Sequence, residues 1–166
     1  MPVLVVLLVV DTTASDVAAG AIFVVGAWTD LLDGYLARRW GISSRTGAWL
    51  DPLADKLLVG VPIVTLAVLD RFPIWAAVVI LAREVVVTVL RVVLGRRGRS
   101  MPASRLAKWK TFAQLTAIFL YILPLTGGLA KVRMPVLIAA VVLTVYTGID
   151  YVVAATRSTV PEGKEP

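Results

Sequence analysis

Five long apolar blocks, at 17–38, 48–69, 73–94, 109–127 and 134–156, alternate along the chain with short segments rich in arginine and lysine. A helix needs about 20 residues to cross the hydrocarbon core of a bilayer, and each block is close to that length. Apolar runs of this extent are too long for strands, so the pattern predicts helices. An opening block at 2–10 is too short to span alone. It lacks the basic start and small-residue cleavage site of a signal peptide. It reads as the second half of a helix whose first half is missing.

Composition strengthens this reading. The 166 residues are 58% hydrophobic and 17% charged, with a mean hydropathy of +0.85, whereas a soluble domain is about a quarter charged. The expected fold is therefore all-α, a polytopic transmembrane helix bundle. It forms one domain over 1–156, followed at 157–166 by a cytoplasmic tail whose "PEGKEP" reads as disordered. No internal repeat is visible.

Lysine and arginine set the orientation, because they collect on the cytoplasmic side of a membrane chain. With the segment after the second long block outside, the inner side holds Arg38, Arg39, Arg45, Arg96, Arg97, Arg99, Arg105, Lys108, Lys110, Arg157 and Lys164. The outer side holds only Arg71, Lys131 and Arg133. The net charge of +6 then points to anionic lipid headgroups rather than nucleic acid.

Against this background the stretch "TDLLDGYLARRWGISSRTGAWLDPLADK", 29–56, stands out. Asp30 and Asp33 share one helix face, and Asp51 and Asp55 share a face of the next helix. The short connection makes these helices antiparallel neighbours, so four carboxylates can meet at their cytoplasmic ends. Bare, they would repel one another in a low dielectric, so protons or cations must neutralise them. The chain has neither histidine nor cysteine, so any metal must be held by oxygen. Magnesium or manganese suits such a donor set, and several carboxylates suit two ions. Pairing with Arg38, Arg39, Arg45 and Lys56 is the plainer alternative. Intramembrane acids are, however, functional by default. Gly34, Ala37 and Gly47 lie within a turn of the acids. They fit either close helix packing or room for a flat ligand.

The run Asp30-x2-Asp33-Gly34-x2-Ala37-Arg38-x8-Gly47-x3-Asp51-x3-Asp55 resembles, at every fixed position, the signature of the CDP-alcohol phosphotransferases. The resemblance implies a six-helix membrane enzyme, here with the first helix truncated. Such enzymes transfer a phosphoryl-linked lipid from a CDP-activated donor to an alcohol and release CMP. It implies that Asp30, Asp33, Asp51 and Asp55 hold divalent metal, Mg2+ or Mn2+, as two ions. Asp55 would also act as general base. Gly34, Ala37, Arg38 and Gly47 would bind the CDP moiety. A homodimer in the bacterial cytoplasmic membrane, with its active site at the cytoplasmic face, is implied too.

The acceptor is addressed by "LAREVVVTVLRVVLGRRGRSMPASRLAKWKTFAQL", 81–115. Arg83 and Arg91 sit two turns apart in an apolar helix, where an arginine needs an anionic partner. Glu84 neighbours Arg83 in sequence and is expected to point elsewhere. Arg91 can snorkel to the headgroups, whereas Arg83 is deeper and expected to face a polar cavity. With Lys108 and Lys110 they could cradle a phosphate on the acceptor. "AREVVVTVLR", "AKWKTFAQL" and the later "YTGIDY" at 146–151 resemble the bacterial phosphatidylglycerophosphate synthase branch. That resemblance implies CDP-diacylglycerol as donor and glycerol 3-phosphate as acceptor, with Arg83, Arg91, Lys108 and Lys110 on the acceptor phosphate. Inositol phosphate, inositol and serine remain alternative acceptors. An ion-coupled transporter is the alternative from another class, but its usual inverted repeat is not visible and the acids gather at one membrane face. Asp150 reads first as an interhelical partner.

Overall fold

The computed structural model describes the backbone of residues 1–40, 47–96 and 105–157. It also describes the side chains in those ranges, except at 31, 33–40, 47–55, 96, 105, 107 and 157. Described residues form helices α1 (Pro2–Val10), α2 (Thr13–Trp40), α3 (Gly47–Val68), α4 (Ile74–Arg96), α5 (Arg105–Ile122), α6 (Gly127–Ala130) and α7 (Arg133–Arg157). The tail at 158–166 lies outside the described residues.

Local chemistry explains where the helices start and stop. Pro2 opens α1, a position where its missing N–H costs nothing. α2 begins earlier than the apolar pattern alone predicts, because Thr12 and Ser15 cap it reciprocally. The Ser15 amide donates to Thr12 Oγ1 at 3.1 Å and the Thr12 amide to Ser15 Oγ at 3.0 Å. α3 ends two residues before Asp70, whose φ of 55° is left-handed. The Asp70 amide donates to the Ala67 carbonyl at 3.2 Å and the Arg71 amide to the Leu66 carbonyl at 2.8 Å. That pair of bonds closes the helix as a Schellman motif and turns the chain tightly into α4.

The fourth long block is corrected. Expected to run over 109–127, its helix is Arg105–Ile122. Pro124 disfavours helical backbone at Leu123 and has no amide to continue the ladder. The carbonyls left at the helix end are taken by arginines. Arg133 Nε donates to the Leu120 carbonyl at 3.0 Å, Arg133 Nη2 to Leu123, and Arg71 Nη2 to the Ile122 carbonyl at 3.3 Å.

Arg71 does more at this end of the bundle. It grips the Asp16 carboxylate with two bonds, 2.9 and 2.6 Å, and reaches Asp11 at 3.1 Å. The α1–α2 turn, the α3–α4 turn, the end of α5 and the start of α7 therefore lie together. The bundle runs up and down, and its opposite end gathers the end of α2, the start of α3, the end of α4, the start of α5 and the end of α7.

The core is apolar, with Leu4, Leu8, Phe23, Ile63, Leu66 and Ile118 among its fully buried members. α5 and α4 both pack on α7, and α3 packs on α1, α2, α4 and α5. The outside is apolar as well, for Val25, Trp28, Val64, Val78, Val85 and Val142 are exposed. A surface so rich in apolar groups belongs in lipid rather than water. Among the described residues one stretch, Gly127–Thr156, is by itself long and apolar enough to cross a membrane, with a mean hydropathy of 2.1. The other helices carry charges within their lengths, and several of these turn toward neighbouring helices.

Candidate functional site

α2 is unbroken from Thr13 to Trp40 and α3 from Gly47 to Val68. Asp30 and Asp33 are therefore one turn apart on α2, and Asp51 and Asp55 one turn apart on α3, as their spacing predicts. The two helices pack together. Asp30 is half-buried. The side chains of Asp33, Asp51 and Asp55, with those of Gly34, Ala37, Arg38 and Gly47, lie outside the described residues. The donor set fits a hard divalent cation on chemical grounds, since the sequence offers carboxylates on adjoining helices and no softer ligand.

The cationic side is described in detail. Arg83 on α4 lies in the bundle, its side chain 11% exposed. Its Nη1 meets Glu84 Oε1 at 3.2 Å and its Nη2 donates to Thr147 Oγ1 on α7 at 3.1 Å. Lys110 on α5 is also buried, and its ammonium pairs with the same Glu84 carboxylate. Two cations thus converge on one anion. The expectation that Glu84 points away is corrected. Adjacent side chains on a helix do not face each other at Cβ, but the long arginine stem folds back far enough to meet its neighbour. Lys110, expected at the membrane surface, is instead drawn inward by that carboxylate. Charge-assisted bonds of this kind are about twice as strong as neutral ones.

Arg91 lies two turns further along α4 and is exposed. Its Nη2 donates to the Tyr151 hydroxyl at 3.2 Å, and its guanidinium lies 5.7 Å from the centre of the Tyr151 ring. Lys108 is exposed at the start of α5. Arg83 and Lys110 are thus brought to one cluster, while Arg91 is held on the same face of α7 by a different residue.

A recess lies beside the cationic cluster. Lys56 directly follows Asp55 on α3, and it lines a small polar hollow together with Glu84, Lys110, Thr111 and Gln114. The hollow opens beside a larger groove of about 250 Å³ between α3 and α4, walled by Val59, Gly60, Leu81, Val85 and Val89. Thr88 also faces this groove, and its hydroxyl donates to the Glu84 carbonyl at 2.6 Å. Deeper in the bundle, Gln114 Nε2 donates to Thr144 Oγ1 at 2.8 Å and ties α5 to α7.

Glu84, Thr147 and Tyr151 were not identified as site residues from sequence. Their signal was present in part, since "YTGIDY" carries two of them, but no spacing rule links that segment to α4.

Known proteins place the chain. The CDP-alcohol phosphatidyltransferase profile matches residues 1–146. A Mycobacterium tuberculosis protein named "Probable phosphatidylglycerophosphate synthase" is 48% identical over 145 residues, which is 87% of this chain and 69% of that protein. A Bacillus subtilis protein named CDP-diacylglycerol–glycerol-3-phosphate 3-phosphatidyltransferase is 41% identical over 137 residues, 80% of this chain and 71% of its own length. One of the same name from Rickettsia typhi is 37% identical over 155 residues, 91% of this chain and 87% of its own. With a profile match across most of its length and relatives this similar, the chain belongs to the CDP-alcohol phosphatidyltransferase family.

Proposed function

We propose that the chain transfers a phosphatidyl group from CDP-diacylglycerol to glycerol 3-phosphate, giving phosphatidylglycerophosphate and CMP. The observation that carries this reading is the buried meeting of Arg83 and Lys110 beside a recess lined by Lys56, the residue next to Asp55. Clustered arginine and lysine side chains are the usual ligands of a phosphate, which they hold by charge-assisted hydrogen bonds, and a phosphate-bearing acceptor supplies one. A neutral acceptor such as inositol or serine offers these cations no phosphate to bind. The names of the relatives support the same donor and acceptor.

In this reading Asp30, Asp33, Asp51 and Asp55 hold Mg2+, as two ions, and Mn2+ fits the same ligands. Bound there, the metal offsets negative charge on the donor's diphosphate and on the departing CMP. Gly34, Ala37, Arg38 and Gly47 hold the CDP moiety. Arg83, Arg91, Lys108 and Lys110 bind the acceptor phosphate and so aim the acceptor hydroxyl at the donor. That hydroxyl oxygen attacks the phosphorus that carries the diacylglycerol. As the new P–O bond forms, the bond to the CMP phosphate breaks and CMP leaves. Asp55 takes the hydroxyl proton. A carboxylate within reach of the hydroxyl is a usual group for that proton transfer.

The lysine and arginine distribution supports a site at the cytoplasmic face of the bacterial cytoplasmic membrane, where nucleotide is soluble and lipid is at hand. A homodimer is part of the same reading.

The test is CMP release in detergent or liposomes with CDP-diacylglycerol and magnesium. Glycerol 3-phosphate, inositol phosphate, inositol and serine are offered separately. Release with glycerol 3-phosphate that EDTA abolishes is the expected result. Release only with another acceptor would overturn the assignment of the cationic cluster while leaving the aspartate chemistry in place.

A further inference from the structure

The segment "YTGIDY" on α7 has no role in the reaction as described above. Its contacts give it one. Thr147 Oγ1 donates to the Leu143 carbonyl at 2.8 Å, so its hydrogen is committed to its own helix and its lone pairs are left to accept from Arg83 Nη2. At Gly148 a methyl group would stand 3.0 Å from Arg83 Cγ, so the glycine makes the space in which the arginine stem lies. One turn on from Thr147, Tyr151 accepts from Arg91 with its hydroxyl and presents its ring to the guanidinium. Among the described residues Arg83 Nε is buried with no hydrogen-bond partner. That leaves a donor in reserve on a residue whose other nitrogens are already fixed.

Helical rise makes this arrangement more than two separate contacts. Arg83 and Arg91 are about 12 Å apart along α4, whereas Thr147 and Tyr151 are about 6 Å apart along α7, at roughly 1.5 Å per residue. Two arginines anchored on that shorter spacing have their guanidinium groups drawn toward each other. We infer that Thr147, Gly148 and Tyr151 are positioning residues: α7 is the rail that sets Arg83 and Arg91 at the spacing of one acceptor phosphate. This rests on the reading of those arginines as acceptor ligands, and it adds the element that determines specificity for a phosphorylated alcohol.

The experiment is steady-state kinetics of the full chain in liposomes, with each substrate varied in turn. Thr147→Val keeps the shape and removes the acceptor, and Tyr151→Phe removes the hydroxyl and keeps the ring. Each should raise KM for glycerol 3-phosphate by about tenfold, the size of one lost hydrogen bond to a charged group. The KM for CDP-diacylglycerol and kcat should stay near wild type, as expected when only acceptor binding is lost. Thr147→Ser, which restores the hydroxyl, should restore the acceptor KM, and Gly148→Ala should raise it. Equal changes in both KM values, or a fall in kcat alone, would mark these residues as merely structural and overturn the inference. So would variants indistinguishable from a wild type that is active with glycerol 3-phosphate. A wild type that turned over only inositol or serine would remove the acceptor reading and the inference together. Because the two variants lie at different depths of α7, misfolding of one leaves the other to decide.

Discussion

Asp55 and Glu84 are both acids in apolar helices, and the proposed reaction gives them different work. Asp55 precedes Lys56 in the sequence, and Glu84 is spanned by Arg83 and Lys110. As the proposed base, Asp55 should be sensitive to loss of its proton-accepting oxygen. Asp55→Asn is expected to lower kcat by at least about 100-fold, the usual worth of a positioned base, in protein that still folds. Turnover near wild type would remove Asp55 from that role. Glu84→Gln should instead act on stability, since Arg83 would be left in the bundle without its anion. Uncompensated charge in a bundle costs about 3 kcal/mol or more, so the thermal midpoint should fall, and an unchanged midpoint would show that the pair is not needed. The placement of the aspartates one turn apart on two consecutive helices was legible in the sequence from their spacing. The Glu84 hub was not. Its three members come from two helices, and the contact between neighbours Arg83 and Glu84 depends on how one flexible stem folds.

At the level of elements, the ends of the helices at the Arg71 side explain how the bundle is held far from its chemistry. Arg71 joins the α1–α2 turn, through Asp11 and Asp16, to the last carbonyls of α5. Asp16 is buried, its side chain 5% exposed, so it cannot exchange this partner for water. Asp16→Asn should destabilise the protein by about 3 kcal/mol, as breaking a buried pair does. Turnover at low temperature should be preserved, because no proposed site residue lies at that end. Thermal denaturation followed alongside CMP release checks both halves; loss of activity without loss of stability would contradict the separation. The clasp was half legible. The stop at Pro124 could be read from the sequence, and so could the Thr12–Ser15 cap, once hydroxyl pairs are weighed beside apolar runs. That Arg71 and Arg133 would satisfy the freed carbonyls of α5 needed the tertiary arrangement, since 51 and 10 residues separate donor from acceptor.

For the whole molecule, charge and hydrogen bonding bear on the same up-and-down topology from independent directions. The sorting of lysine and arginine puts Arg71, Lys131 and Arg133 on one side of the membrane. The Arg71 and Arg133 bonds to α5 bring the same residues to one end of the bundle. The aspartate-bearing end of α2 and start of α3 fall at the other, with Lys108. Nucleotide substrate can reach the acids only if that second end faces the cytosol. The chain has no cysteine, so single cysteines report on sidedness without a background. In intact cells Lys131→Cys should react with a membrane-impermeant maleimide, whereas Lys164→Cys should react only after the membrane is opened. The reverse pattern would put the aspartates on the wrong side of the membrane for CDP-diacylglycerol made from cytosolic nucleotide. The proposed reaction would then have no supply of donor.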